Sequence, residues 1–147
     1  MAWPPVDELV RGWIQRSYLE EYRWWLELVL DEFAFLEARG YTLPMDDLKG
    51  VKFHQKGNYV WFTGPGRDVV IEYDPESSFI TADLWEHQVS AAGRFTSLDE
   101  ALLATGSAGT PPPRSPLDRT AIEATIRWWA NGLRANAAEL LGPPRSA

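Results

Sequence analysis

The sequence predicts an α+β domain: an N-terminal helix or helices, a four-stranded antiparallel β-meander, a short helix and a long C-terminal helix, with the helices mainly on one sheet face. Three observations carry that expectation. Between Gly50 and Trp85 four short apolar runs are separated by glycine- or proline-marked turns. Helical apolar stripes flank this block, and each of the two long ones holds a Trp-Trp pair, Trp24-Trp25 and Trp128-Trp129. The joints between the runs are too short for crossover helices, so neighbouring runs must pair antiparallel.

Taken in chain order, Pro4 and Pro5 followed by Asp7 and Glu8 read as a helix start, with proline in the first turn and acids at the positive end of the dipole. Ser17 with Glu20 forms an S-x-x-E capping box, from which a helix starts or continues. Tyr18, Tyr22, Trp25, Val29, Phe33 and Leu36 then recur at steps of three and four, a core-facing stripe that Gly40 stops. After an extended connection from Tyr41 to Leu48, the strands are expected at Val51–Gln55, Tyr59–Thr63, Val69–Tyr73 and Phe79–Leu84. These runs are rich in β-branched and aromatic residues, and Lys56-Gly57-Asn58, Gly64-Pro65-Gly66 and Asp74-Pro75-Glu76-Ser77-Ser78 supply turn chemistry.

A polar stretch, Glu86 to Gly93, leads to Phe95 and a second capping box, Ser97 with Glu100. A short helix follows to about Thr105 and stops at Gly106. Residues 106–114 form a surface linker within one domain spanning 1–147, since too little chain follows to build a second core. The last helix opens at Ser115-Pro116-Leu117-Asp118, buries Ile122, Ile126, Trp129, Leu133, Ala137 and Leu140, and ends at Gly142-Pro143-Pro144.

Composition narrows the function classes. The chain has no cysteine, which removes disulfides, thiolate nucleophiles and cysteine-ligated zinc. Its formal charge of −7 is unevenly placed, with eight acids against four bases in residues 1–40, ten against five in 41–105, and three against five in 106–147. Such a surface repels nucleic-acid phosphate and steers a basic protein toward it. No apolar run reaches the roughly 20 residues that span a bilayer, and no signal-peptide pattern opens the chain. A cytoplasmic protein without a membrane or nucleic-acid partner is expected.

Motifs of chemistry are few. His54 and His87 are the only histidines, and Asp83, Glu86 and His87 could gather round a divalent ion, although further ligands are needed and polar loop residues are the plainer reading. No G-x-S-x-G, G-x-x-x-x-G-K-[ST], H-E-x-x-H or EF-hand spacing occurs, so neither a catalytic residue nor a cofactor is expected. Gly64-Pro65-Gly66 joins two strands rather than a strand and a helix, which makes it a hairpin turn instead of a phosphate loop.

The remaining candidates are binding residues. Glu20, Glu27 and Asp31 lie along one side of the long helix with Arg23 among them, either as a solvated face of i to i+4 ion pairs or as a docking stripe. Trp24, Leu28 and Phe35 fall off the core stripe beside those acids and stay exposed unless the last helix covers them. On the sheet, alternation sends Trp61 to the face opposite Val60 and Phe62, and Trp85 raises the same question. Those rings belong to a core wrapped on both sides or meet a ligand or partner.

The runs Phe35-Leu36-Glu37-Ala38-Arg39-Gly40-Tyr41, Val51-Lys52-Phe53, Tyr59-Val60-Trp61-Phe62, Val69 to Ser77 and Phe95-Thr96-Ser97-Leu98-Asp99-Glu100-Ala101-Leu102 together resemble the small bacterial α+β immunity proteins of polymorphic toxin systems. The resemblance covers roughly residues 30–105. It implies a non-enzymatic inhibitor that covers a toxin's active site, often with an acidic surface, and it assigns no individual residue. The Trp-Trp helices and the proline-rich joint at 111–116 lie outside the pattern. The expectation is therefore a protein-binding domain using Glu20, Trp24, Glu27, Asp31, Trp61 and Trp85. A small-ligand sensor or assembly subunit with an aromatic-lined pocket is the alternative, and an enzyme using His54 or His87 is a further rival.

Overall fold

The computed structural model describes Trp3, Pro5 and residues 19–43, 50–54, 57–74, 79–86, 94–114 and 118–142. The expected four strands form in the expected order: β1 (Gly50–His54), β2 (Gly57–Phe62), β3 (Arg67–Asp74) and β4 (Phe79–Glu86). Every neighbouring pair is antiparallel. A fifth strand, β5 (Arg94–Ser97), extends the meander so that the sheet order is β1-β2-β3-β4-β5. Four residues are too few to show alternation, and Phe95, read from sequence as the approach to a helix, is instead placed opposite Trp85 by the ladder.

Before the sheet come α1 (Leu19–Glu32) and α2 (Phe35–Ala38). Sequence periodicity runs them together, whereas the structure breaks the helix at Phe33-Ala34. At the joint the bonds shorten from Phe33 N–H to Val29 O to the i−3 steps of Ala34 to Asp31 and Leu36 to Phe33, a tightened turn that splits the helix in two. The stop at Gly40 is as expected. With φ +89° at Gly40, Tyr41 N–H reaches back to Leu36 O and Gly40 N–H to Glu37 O, the two bonds of a Schellman motif. The helix start at Pro4 and the Ser17 to Glu20 capping box lie outside the described residues.

After the sheet, α3 (Leu98–Thr105) ends at Gly106 with φ +73°, as the sequence implies. Its start differs from expectation: Ser97 occupies the N-cap position and is also the last residue of β5, and its side chain makes no cap bond. The last helix is α4 (Arg119–Ala135), capped by Asp118 accepting from Thr120 N–H at 2.9 Å, followed by α5 (Ala137–Leu141). Between them, Asn136 leaves helical dihedrals with φ −117° and its side chain turns back to bond Gly132 O at 2.9 Å, sharing that carbonyl with its own backbone N–H.

All six positions of the expected stripe on this last segment are buried, as are Trp25, Val29, Phe33 and Leu36 of the first. They meet Val60 and Phe62 of β2, Val69, Ile71 and Tyr73 of β3, and Ile80, Ala82 and Leu84 of β4 in one continuous core. The alternation of β3 sends these odd-numbered residues to one face, so α1, α3 and α4 cover that face and Asp68, Val70 and Glu72 point to the other. Among the described residues no helix is long and apolar enough to cross a membrane.

Candidate functional site

The face turned away from the helices is built by register. Trp61 of β2 stands opposite Val70 of β3, which stands opposite Asp83 of β4, which stands opposite Ser97 of β5. One row along, Asp68, Trp85 and Phe95 line up in the same way, and on the other side Tyr59, Glu72 and Thr81 do. Period-two alternation therefore concentrates four aromatic rings and three carboxylates on one side of a sheet whose other side is core.

The rings touch in sequence across the strands. Centroids are 6.0 Å apart for Tyr59 and Trp61, 5.4 Å for Trp61 and Trp85, and 5.0 Å for Trp85 and Phe95, the last pair stacked at 25°. Strands two apart in a sheet are separated by about 9.6 Å, so Trp61 and Trp85 meet only by leaning inward over β3 from both sides. Beneath them Val70 is 3% exposed and Asp68 2% exposed, although no helix covers that face among the described residues. Two indoles thus act as a roof over the middle strand. The Trp61 indole is fixed by donating its Nε1–H to Asp68 Oδ2 at 2.7 Å, while Asp68 Oδ1 accepts from Gly64 N–H at 3.1 Å.

At the β5 edge the roof ends in an exposed ring, Phe95, at 57%. Beside it, Asp83 is half-buried and accepts no hydrogen bond among the described residues. Burial pushes its carboxyl up to about 6, with Glu72 and Asp99 adding negative charge nearby. Its neighbour Asp99, in the first turn of α3, is in the opposite situation. Burial alone would raise it, but hydrogen bonds from Arg114 and Trp129 and the charge of Arg114 together bring it below the usual carboxylate value. The contacts are specific: Arg114 forks onto Asp99 at 2.8 and 3.0 Å, Trp129 Nε1–H donates to the same carboxylate at 2.6 Å, and the guanidinium lies 5.1 Å over the Trp129 ring.

Of the residues singled out from sequence, the structure brings Trp61 and Trp85 together. Glu20, Trp24, Glu27 and Asp31 lie on α1, across the sheet from them. The side chain of Glu20 is outside the described set. Glu27 pairs with Arg23 at 3.4 Å in an i to i+4 bridge, and Asp31 is exposed. Trp24 is half-buried against the core with Arg119 of α4 4.8 Å over its ring, and Arg134 covers Phe35 in the same manner. The last helix therefore does what the sequence left open, covering the apolar residues that border those acids.

The suggested ion site does not assemble. Asp83 and Glu86 are three apart on β4 and point to opposite faces, and Glu86 is bridged to Arg67 at 3.2 Å. His87 lies outside the described residues, as does the side chain of His54, and no group of three metal-ligating side chains occurs among the described residues. Gly64-Pro65-Gly66 is the hairpin joint between β2 and β3, as expected. Tyr59, Glu72 and Phe95 were not singled out from sequence: Tyr59 and Glu72 share parity with Trp61 and Val70 and were readable, whereas Phe95 depends on a strand too short to recognise. No protein-family model, curated protein or solved structure matches the chain.

Proposed function

We propose that the chain is a non-enzymatic protein-binding domain that neutralises a basic partner, in the manner of a toxin immunity protein, through an acidic and aromatic surface. The observation that carries this reading is the ladder Tyr59, Trp61, Trp85 and Phe95, laid across β2 to β5 on the sheet face away from the helices. A row of partly exposed aromatic rings bordered by carboxylates has the composition of an interface hot spot. The net charge of −7 adds attraction for a basic surface.

The alternative of an aromatic-lined small-ligand pocket has less support. Trp61 and Trp85 are already in contact, with ring centroids 5.4 Å apart, which leaves no gap between them for a flat ligand. The neutralising reading is tested by co-expressing the chain with the polypeptide encoded by the neighbouring reading frame and titrating the purified pair by calorimetry at rising salt. A complex that weakens markedly between low and physiological ionic strength is expected. A salt-insensitive complex, or none, would reject the acidic docking surface.

A further inference from the structure

We propose that the β4–β5 edge of the open face, formed by Trp85, Phe95 and Asp83, docks an arginine side chain presented by a basic segment of a protein partner. The inference rests on the protein-binding reading above and selects the sheet face over the α1 stripe as its site. On α1 and α2 the apolar anchors Trp24 and Phe35 are already capped by Arg119 and Arg134 of this chain. At the β4–β5 edge the stacked pair of Trp85 and Phe95 ends in a ring that is more than half exposed.

Charge complementarity names the occupant. Asp83 sits two residues from Trp85 on the same side of β4, half-buried, with Glu72 diagonal to it on β3 and Asp99 beyond it on α3. No cation pairs with Asp83 among the described residues, and burial among like charges holds its carboxyl up to about 6. A cation brought against it would relieve that unfavourable field.

The chain itself shows which cation fits an aromatic ring beside a carboxylate. At Asp99, Arg114 lies over the Trp129 ring and forks onto the carboxylate that the indole also bonds. Arginine suits this combination better than lysine, because a planar guanidinium can stack on a ring face while its edge meets both carboxylate oxygens. Phe95, backed by Trp85 and diagonal to Asp83, offers the same two chemistries with a ring that is more than half exposed.

The test uses the full chain at low salt with tetra-arginine, tetra-lysine, tetra-glutamate and cellohexaose as probes, followed by NMR at the Trp85 indole, the Phe95 ring and the Asp83 carboxyl. Saturable shifts at all three with tetra-arginine are expected, with tetra-lysine weaker, tetra-glutamate silent and the Asp83 titration moved to lower pH. Asp83→Asn and Phe95→Ala, neither of which removes core, should each weaken tetra-arginine about fivefold. Shifts confined to α1 around Glu27 and Asp31 would overturn the sheet-face site while leaving the protein-binding reading intact. Cellohexaose binding at Trp85 and Phe95 without a response to cationic peptide would overturn both in favour of a saccharide platform. No response to any cationic probe would also overturn both.

Discussion

Trp61 and Asp68 are joined by a 2.7 Å hydrogen bond between an indole N–H and a carboxylate that is 2% exposed, on the face of the sheet opposite the core helices. A buried carboxylate needs its donors, and Asp68 also serves Gly64 N–H at the β2–β3 turn. Asp68→Ala leaves both donors without this acceptor and should cost about 3 kcal/mol, read from the urea midpoint. Trp61→Phe should cost about 2 kcal/mol, and in the same variant Val70 should gain solvent access, measurable as faster amide exchange in β3.

Tyr41 and Gly64 make a second pair whose closeness sets a sharp constraint. A Cβ placed on Gly64 would fall 2.1 Å from the Tyr41 ring, whose hydroxyl donates to Arg67 O at 2.7 Å. Gly64→Ala must push that ring out, so a loss of about 3 kcal/mol is expected. Tyr41→Leu should cost less, and Gly64→Ala added to Tyr41→Leu should cost about 1 kcal/mol or under. Additive losses in the double variant would show that the ring is not the obstacle.

The pH dependence of folding at Asp83 has a definite sign. Its carboxyl is pushed up to about 6 in the folded chain, mainly by burial, above the ordinary aspartate value. The folded state therefore holds the proton more tightly than the unfolded one. The associated stability is complete below about pH 4 and is lost as pH rises through 6. Asp83→Asn should flatten this part of the curve, making the chain more stable than the parent at pH 7 by on the order of 1 kcal/mol once solvent screening at a partly exposed site is allowed for. A parallel curve for the variant between pH 4 and 7 would refute the assignment.

The sequence made the architecture legible wherever a period ran long enough. Six stripe positions in the last helical segment and four described ones in the first are buried, and four strands fall within a few residues of their expected bounds. The parity argument for Trp61 holds because β2 is paired on both sides and cannot slip. What stayed hidden is pairwise and long-range. Nothing local says that Trp61 and Trp85 lean over β3 to meet, or that four residues at Arg94–Ser97 find an edge to complete. The covering of Trp24 and Phe35 by arginines from α4 joins residues about a hundred positions apart and has no sequence period at all.

The linker after α3 offers a last prediction, in which Asp99 acts on a segment far from its own helix. Its carboxylate grips Arg114 through two bonds while accepting from Trp129 of α4, and Trp128 Nε1–H holds the linker again at Ala108 O, 3.0 Å away. With Arg114 held by its guanidinium, trypsin cannot take that side chain into its specificity pocket. Asp99→Asn weakens the fork and removes its charge, so cleavage after Arg114 should accelerate about tenfold, with an overall stability loss of about 1.5 kcal/mol. Asp99 lies below its usual value when folded, the reverse of Asp83, so the stability it lends is present above about pH 4 and disappears as pH falls through the lowered folded value. Trypsin cleavage of the parent at Arg114 should match that of Asp99→Asn if the fork does not restrain the linker in solution, and a protected parent beside a readily cut variant is the outcome the geometry requires.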